Sequence, residues 1–181
     1  MAHAEKTDSD SLLERYEDVV SAFKKATLHI FSKQFSIDLK CGDIYEKNQE
    51  DPDKNKHFAL TAKINLTSKK CEGAVVVLFT EDVFIKLLSQ ALGEDFGEID
   101  EELKDGACEI LNMIFGSART ELNIDGDHYA VMDIPVIIDQ KEIAESSLTP
   151  LPALMVPFIS DFGEFIIQIG FKEEDRFILI P

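Results

Sequence analysis

Basic side chains are in short supply in this chain. Only 18 Lys and Arg stand against 35 Asp and Glu, a formal net charge of −17 over 181 residues. So acidic a surface argues against nucleic acid and against an anionic membrane as partners. Cysteine is scarce as well. Cys41, Cys71 and Cys108 are far apart and odd in number, with no second Cys or His at ligand spacing. That leaves neither a disulfide framework nor a zinc site, and it predicts reduced thiols. No apolar run approaches the roughly 20 residues a bilayer span needs. Six prolines and nine glycines beside 45% hydrophobic residues exclude a low-complexity or disordered chain. The opening, "MAHAEKTDSDSLLERYED", lacks the basic start and apolar centre of a secretory signal. The expectation is a frayed leader over residues 1–10, one globular domain over 11–181, and a cytoplasmic location.

Self-contained catalytic machinery is also missing. His3, His29, His57 and His128 are scattered, and no Ser-His-Asp or Cys-His set can be assembled from their spacing. No glycine-rich phosphate loop is present. "DPDKNKHFALTA" starts like a calcium loop at Asp51, Asp53 and Asn55. It then has Lys56 where a sharp turn needs Gly and Ala62 where a bidentate Glu belongs, so it reads as a solvated acidic loop. "DFG" at 161–163 has none of the other kinase signatures around it and reads as a hairpin turn. "NLT" at 65–67 matches a glycosylation sequon, which carries no weight in a cytoplasmic chain.

What is present is clear periodicity. Ser11 and Glu14 form a capping box ahead of apolar residues at helical spacing, from Leu12 through Phe31, which predicts a helix to about Gln34. "SIDLK" at 36–40 alternates like a strand, and the polar stretch 47–56 reads as a loop. "FALTAKINLT" (58–67) alternates in period two and "GAVVVLF" (73–79) is a β-branched run, together an antiparallel pair. Residues 80–93 read as a helix capped by Thr80 and stopped by Gly93. Residues 129–138 are extended, with Pro135 pointing to an edge or bulge. Residues 152–160 and 164–171 form a hairpin around "DFG", and 176–180 supplies a further strand.

The segment "DEELKDGACEILNMIFGSARTEL" (100–122) is a helix with Asp100 as its N-cap. Ala107, Ile110, Leu111, Ile114, Ala118 and Leu122 fall on one face, bordered by Phe115. Asp105, Glu109 and Asn112, at i, i+4 and i+7, make a row down the other face, and Gly116 continues it with no side chain. Asn and Gly inside a helix cost about 0.7 and 1 kcal/mol relative to Ala. On pattern alone the row reads as a solvated face, as charged residues on an exposed helix usually do. Gly116 would let a partner's backbone come close.

The D-x-x-x-E-x-x-N spelling, continued by "MIFGSA", resembles the signature of the CheC–CheX–FliY family of bacterial chemotaxis phosphatases, and most closely its CheX branch. "YEDVVSAFKKATLHIF" resembles that branch's first helix. "CEGAVVVLFTEDVFIKLLSQALGEDFGEIDEEL" resembles the strand, helix and loop before the motif helix, and "LPALMVPFISDFGEFIIQI" its closing hairpin. The likeness covers roughly residues 16–171. CheC-type relatives repeat the motif on the first helix. Here Asp10 and Glu14 are followed by Glu17 where Asn is required, which implies one site per chain.

The resemblance implies an α+β, CheC/CheX-like layered fold, with a largely antiparallel sheet packed against long helices. It implies hydrolysis of the aspartyl phosphate on a CheY-like response regulator. Asn112 would orient the attacking water and Glu109 would contact a lysine of the receiver domain. Asp105 would support docking, and Gly116 would give access. The protein would bring no metal or cofactor of its own, because the response regulator supplies Mg²⁺. A homodimer is implied too, with 129–138 the candidate seam. The alternative is a non-catalytic adaptor that binds a receiver domain or a flagellar switch component. A small-molecule sensor would need a convergent polar pocket that the sequence does not signal.

Overall fold

The computed structural model describes residues 12–47, 58–67, 72–122, 133–138, 149 and 152–172. The first helical segment forms α1 (Leu12–Arg15) and α2 (Glu17–Gln34), with a break at Tyr16. Two short strands follow, β1 (Lys40–Cys41) and β2 (Tyr45–Glu46), then the long pair β3 (Leu60–Thr67) and β4 (Glu72–Phe79). After these come α3 (Glu81–Leu92), α4 (Glu101–Leu122), β5 (Val136–Ile137), β6 (Ala153–Ser160) and β7 (Gly163–Lys172). No helix among the described residues is long and apolar enough to cross a membrane.

The strands make one sheet in the order β1-β6-β7-β4-β3-β5, with β2 also paired to β6. Every pairing among them is antiparallel. The continuous apolar run of β4 is explained by its central place. Val75, Val77 and Phe79 face the helices, while Val76 and Leu78 join Met155 and Ile166 on the other face. A strand buried on both sides has no polar face to alternate with. On the helical side, rings lock the layers together. Tyr16 stacks on Phe171 at 3.6 Å, Phe23 meets Phe115 edge-on at 5.7 Å, and Phe31 stacks on Phe165 at 5.1 Å. Pairs of this kind add roughly 0.5–1.5 kcal/mol each beyond area burial.

The structure departs from the sequence expectations in three places. Tyr16, at φ −118 and ψ 22, interrupts the first helix while its ring lies flat on Phe171. The leading amide of that helix, Leu12 N–H, donates to the Glu46 carboxylate at 3.1 Å; Ser11 of the expected capping box lies outside the described residues. "SIDLK" is not a strand before Lys40. Ser36 sits at φ 55, and the Ile37 amide is spent on the Phe31 carbonyl at 3.0 Å, so the chain wraps the end of α2 before it can pair. Thr80 precedes α3 with extended backbone but makes no side-chain cap bond. Gly93 does stop α3, in the left-handed conformation at φ 69.

The "DFG" turn closes the β6–β7 hairpin, with Ser160 opposite Gly163. Gly163 has φ 125, and a Cβ there would lie 2.6 Å from Val83 Cγ2. Both backbone and packing require glycine at that point. Residues 48–56 of the expected 47–56 loop and the expected strand at 176–180 lie outside the described residues. Ala62, the twelfth position of the calcium-loop look-alike, is buried within β3.

Candidate active site

α4 begins where Asp100 Oδ1 accepts the Leu103 amide at 2.8 Å. Glu101 and Glu102 occupy its first turn, where negative charge is favoured by the helix dipole. Leu103, Ala107, Ile110, Leu111, Ile114, Phe115 and Ala118 are buried against α2 and the sheet. A fully buried Leu or Ile contributes about 1.5–3 kcal/mol, so this stripe holds the helix firmly in one rotation. The opposite face is thereby presented to solvent.

Asp105, Glu109, Asn112 and Gly116 are all exposed on that face, so the structure brings the four predicted residues into one row. At 1.5 Å of rise per residue, Asp105 and Asn112 are separated by about 10 Å along the axis. Glu109 stands one turn before Asn112, with Cβ atoms about 5–6 Å apart. The Glu109 and Asn112 side chains have no hydrogen-bond or ion-pair partner among the described residues. Elsewhere on the helix Lys104 Nζ pairs with Glu101 at 2.5 Å. A Cβ on Gly116 would meet nothing within 4 Å, so no packing among the described residues demands glycine there.

The row is chemically specific. A carboxamide donates and accepts hydrogen bonds at once and carries no charge. A carboxylate one turn away can make a charge-assisted bond to a cation. The carboxamide is no nucleophile, and no cluster of three or more His, Cys, Asp or Glu side chains suited to a metal occurs among the described residues. His29 is exposed on α2.

Three further features beside the row are not signalled by periodicity. Cys108 lies between Asp105 and Asn112 at i+3 and i−4 spacing. Burial, reinforced by the Asp105 carboxylate, pushes its thiol pKa up, so it stays protonated at neutral pH and is no nucleophile. Together with Asp105 it lines a hollow of about 710 Å³ against residues 135–138. Gly106 is the second feature. A Cβ there would come within 3.1 Å of Leu88 Cδ1, so α3 rests directly on the α4 backbone. On that flank Glu109 borders the third feature, an apolar hollow of about 430 Å³ that includes Leu92, Phe96 and Met113. Leu92 had a legible signal, as an apolar residue in the last turn before the Gly93 stop. The others depend on how α3 lies across α4, which no local pattern encodes.

Comparison with known proteins places these features in context. The sequence profile of the chemotaxis phosphatase CheX family matches residues 60–159, a span that contains the whole row. No curated protein sequence matches the chain significantly. Among solved structures, a CheC-like superfamily protein from Shewanella sp. PV-4 superposes with a TM-score of 0.70 at 22% identity, covering 86% of this chain and 98% of that one. The chemotaxis protein CheX from Desulfovibrio desulfuricans gives 0.65 at 24% identity, covering 86% and 99%. The CheX–CheY–BeF₃–Mg²⁺ complex from Borrelia burgdorferi gives 0.66 at 18% identity, covering 86% and 98%.

Proposed function

Because the chain belongs to the chemotaxis phosphatase CheX family, we propose that it removes the aspartyl phosphate from a CheY-like response regulator, using the exposed row on α4. The observation that carries this reading is the pairing of Glu109 and Asn112, one turn apart, exposed and without partners, on a helix immobilised by its other face. A solvated face has no use for an unpartnered Asn at its centre. The Borrelia neighbour, solved with CheY, beryllofluoride and Mg²⁺, supports the class of partner.

Phosphoryl transfer depends on positioning and electrostatics. The receiver contributes the phosphoaspartate, Mg²⁺ and a lysine. Asn112 enters its site and holds a water in line, accepting one water proton in a hydrogen bond and donating its own N–H to an oxygen of the phosphoryl group or of the water. Being neutral, it adds no repulsion. Glu109 pairs with the receiver's lysine and sets the approach. Asp105 flanks the contact, and the bare backbone at Gly116 lets the receiver's chain come close. The gain from fixing the water is about a hundredfold, roughly 2.7 kcal/mol of barrier, more than the cost of Asn in a helix.

The test is to mix the protein with receivers phosphorylated by a small phosphodonor and follow loss of phosphate. Asn112→Ala is expected to abolish the acceleration and leave receiver binding nearly intact. Glu109→Ala is expected to weaken binding as well, since a hydrogen bond to a charged group contributes about 1.5–3 kcal/mol. An adaptor that only binds would show no acceleration in the unaltered protein. The assembly that suits this reading is a homodimer with one row per protomer, each engaging its own receiver.

A further inference from the structure

The apolar hollow beside Glu109 lies between the end of α3, the loop 93–100 and the first turns of α4. Its floor is made by Phe35, Leu88, Phe96, Ile110 and Met113, and Leu92 stands at its lip. Leu92 is 60% exposed, an apolar side chain held out in water at the end of a helix. Glu94, Asp100, Glu102 and Glu109 also line the hollow, and among the described residues no basic one does. Asp100 accepts the Leu103 amide; the other three carboxylates have no ion-pair or hydrogen-bond partner among the described residues. An apolar floor ringed by carboxylates, three of them unpaired, fits one kind of occupant, an apolar side chain flanked by Lys or Arg. Glu109 belongs both to this ring and to the row, so whatever docks on the row also covers the hollow.

We propose that the hollow is a second docking point for the response regulator, receiving an apolar residue with basic neighbours from the receiver's surface and selecting which receiver is dephosphorylated. This rests on the phosphatase reading of α4 and adds a specificity element to it. A contact in the hollow, added to those at Asn112 and Glu109, widens the footprint that fixes the rotation of the receiver about its phosphoaspartate. The ring of carboxylates steers a basic surface toward the row and penalises receivers with acidic groups at the same place.

The probes are the CheY-like receiver domains of the same organism, each loaded with beryllofluoride and Mg²⁺ for binding and with phosphate for turnover. Leu92→Ser removes exposed apolar surface without opening the core, and Glu94→Lys reverses one charge of the ring. Each is expected to raise Kd and KM about tenfold with kcat unchanged, and Glu94→Lys to flatten the dependence of affinity on salt. Asn112→Ala is expected to do the reverse, lowering kcat with little change in Kd. If Leu92→Ser and Glu94→Lys bind and turn over like the unaltered protein while Asn112→Ala is inactive, the hollow has no docking role and the phosphatase reading stands. A fall in kcat at constant KM in either variant also overturns the inference. If the unaltered protein neither binds nor dephosphorylates any of these receivers, the phosphatase reading falls and takes this inference with it.

Discussion

At the scale of single residues, Asn112 and Cys108 make contrasting predictions although they share one side of α4. Asn112→Asp keeps the shape of the side chain but exchanges the amide donor for a negative charge. A carboxylate beside a phosphoryl group repels it, so this variant is expected to be at least as inactive as Asn112→Ala. Its melting temperature should hardly move, because surface changes of this kind stay within about 0.5 kcal/mol. Stopped-flow turnover and a thermal melt would check both halves. Cys108 has its thiol pKa raised by burial and by Asp105. It should therefore react slowly with iodoacetamide at pH 8 and gain reactivity only as the pH climbs further, which peptide mapping by mass spectrometry reads directly. The raised value also fixes the sign of its effect on stability. The contribution is complete below the ordinary thiol range and is lost as the pH rises through it, since the unfolded chain gives up this proton first.

At the scale of elements, two glycines in α4 serve opposite purposes. A Cβ on Gly116 enters open space, whereas one on Gly106 meets Leu88. Gly116→Ala should stabilise the protein by up to about 1 kcal/mol, the helix-propensity difference, and at the same time weaken receiver binding. Gly106→Val should destabilise it by about 1–3 kcal/mol, the usual cost of overpacking, by pushing α3 off α4. Urea unfolding of the two variants separates a glycine kept for access from one kept for packing. The same contrast shows where sequence reasoning stops. The Asp105–Glu109–Asn112–Gly116 row follows from the period of the helix alone. The need for Gly106 arises from a helix elsewhere in the chain.

At the scale of the whole molecule, the end of the sheet matters. Among the described residues β5 is the terminal strand beyond β3, and it carries Val136 at 52% exposure near Ile134 at 82%. An apolar strand edge of this kind is a template for pairing, and a two-fold contact would close it. On the homodimer reading, Val136→Lys should give monomers in light scattering at micromolar concentration and leave the rate per chain unchanged, because each row lies on one protomer. Residues 129–132 of the expected seam lie outside the described residues, so this test bears on 133–138.

The long elements and the polar row are legible in the amino-acid order alone, because both are written in short-range periods. The run 73–79 reads as a buried strand, 100–122 as an amphipathic helix, and Asp105, Glu109 and Asn112 as neighbours on it, whatever the rest of the chain does. Tertiary structure decided the rest, because it depends on contacts between segments far apart in the chain. The Tyr16 ring on Phe171 accompanies a broken first helix, and the Ile37 amide bonded back to Phe31 cancels a strand that alternation predicts. The packing of α2 and the sheet against one face of α4 decides that Asn112 points outward and stays unpartnered. The crossing of α3 over Gly106 decides that Glu109 borders an apolar hollow.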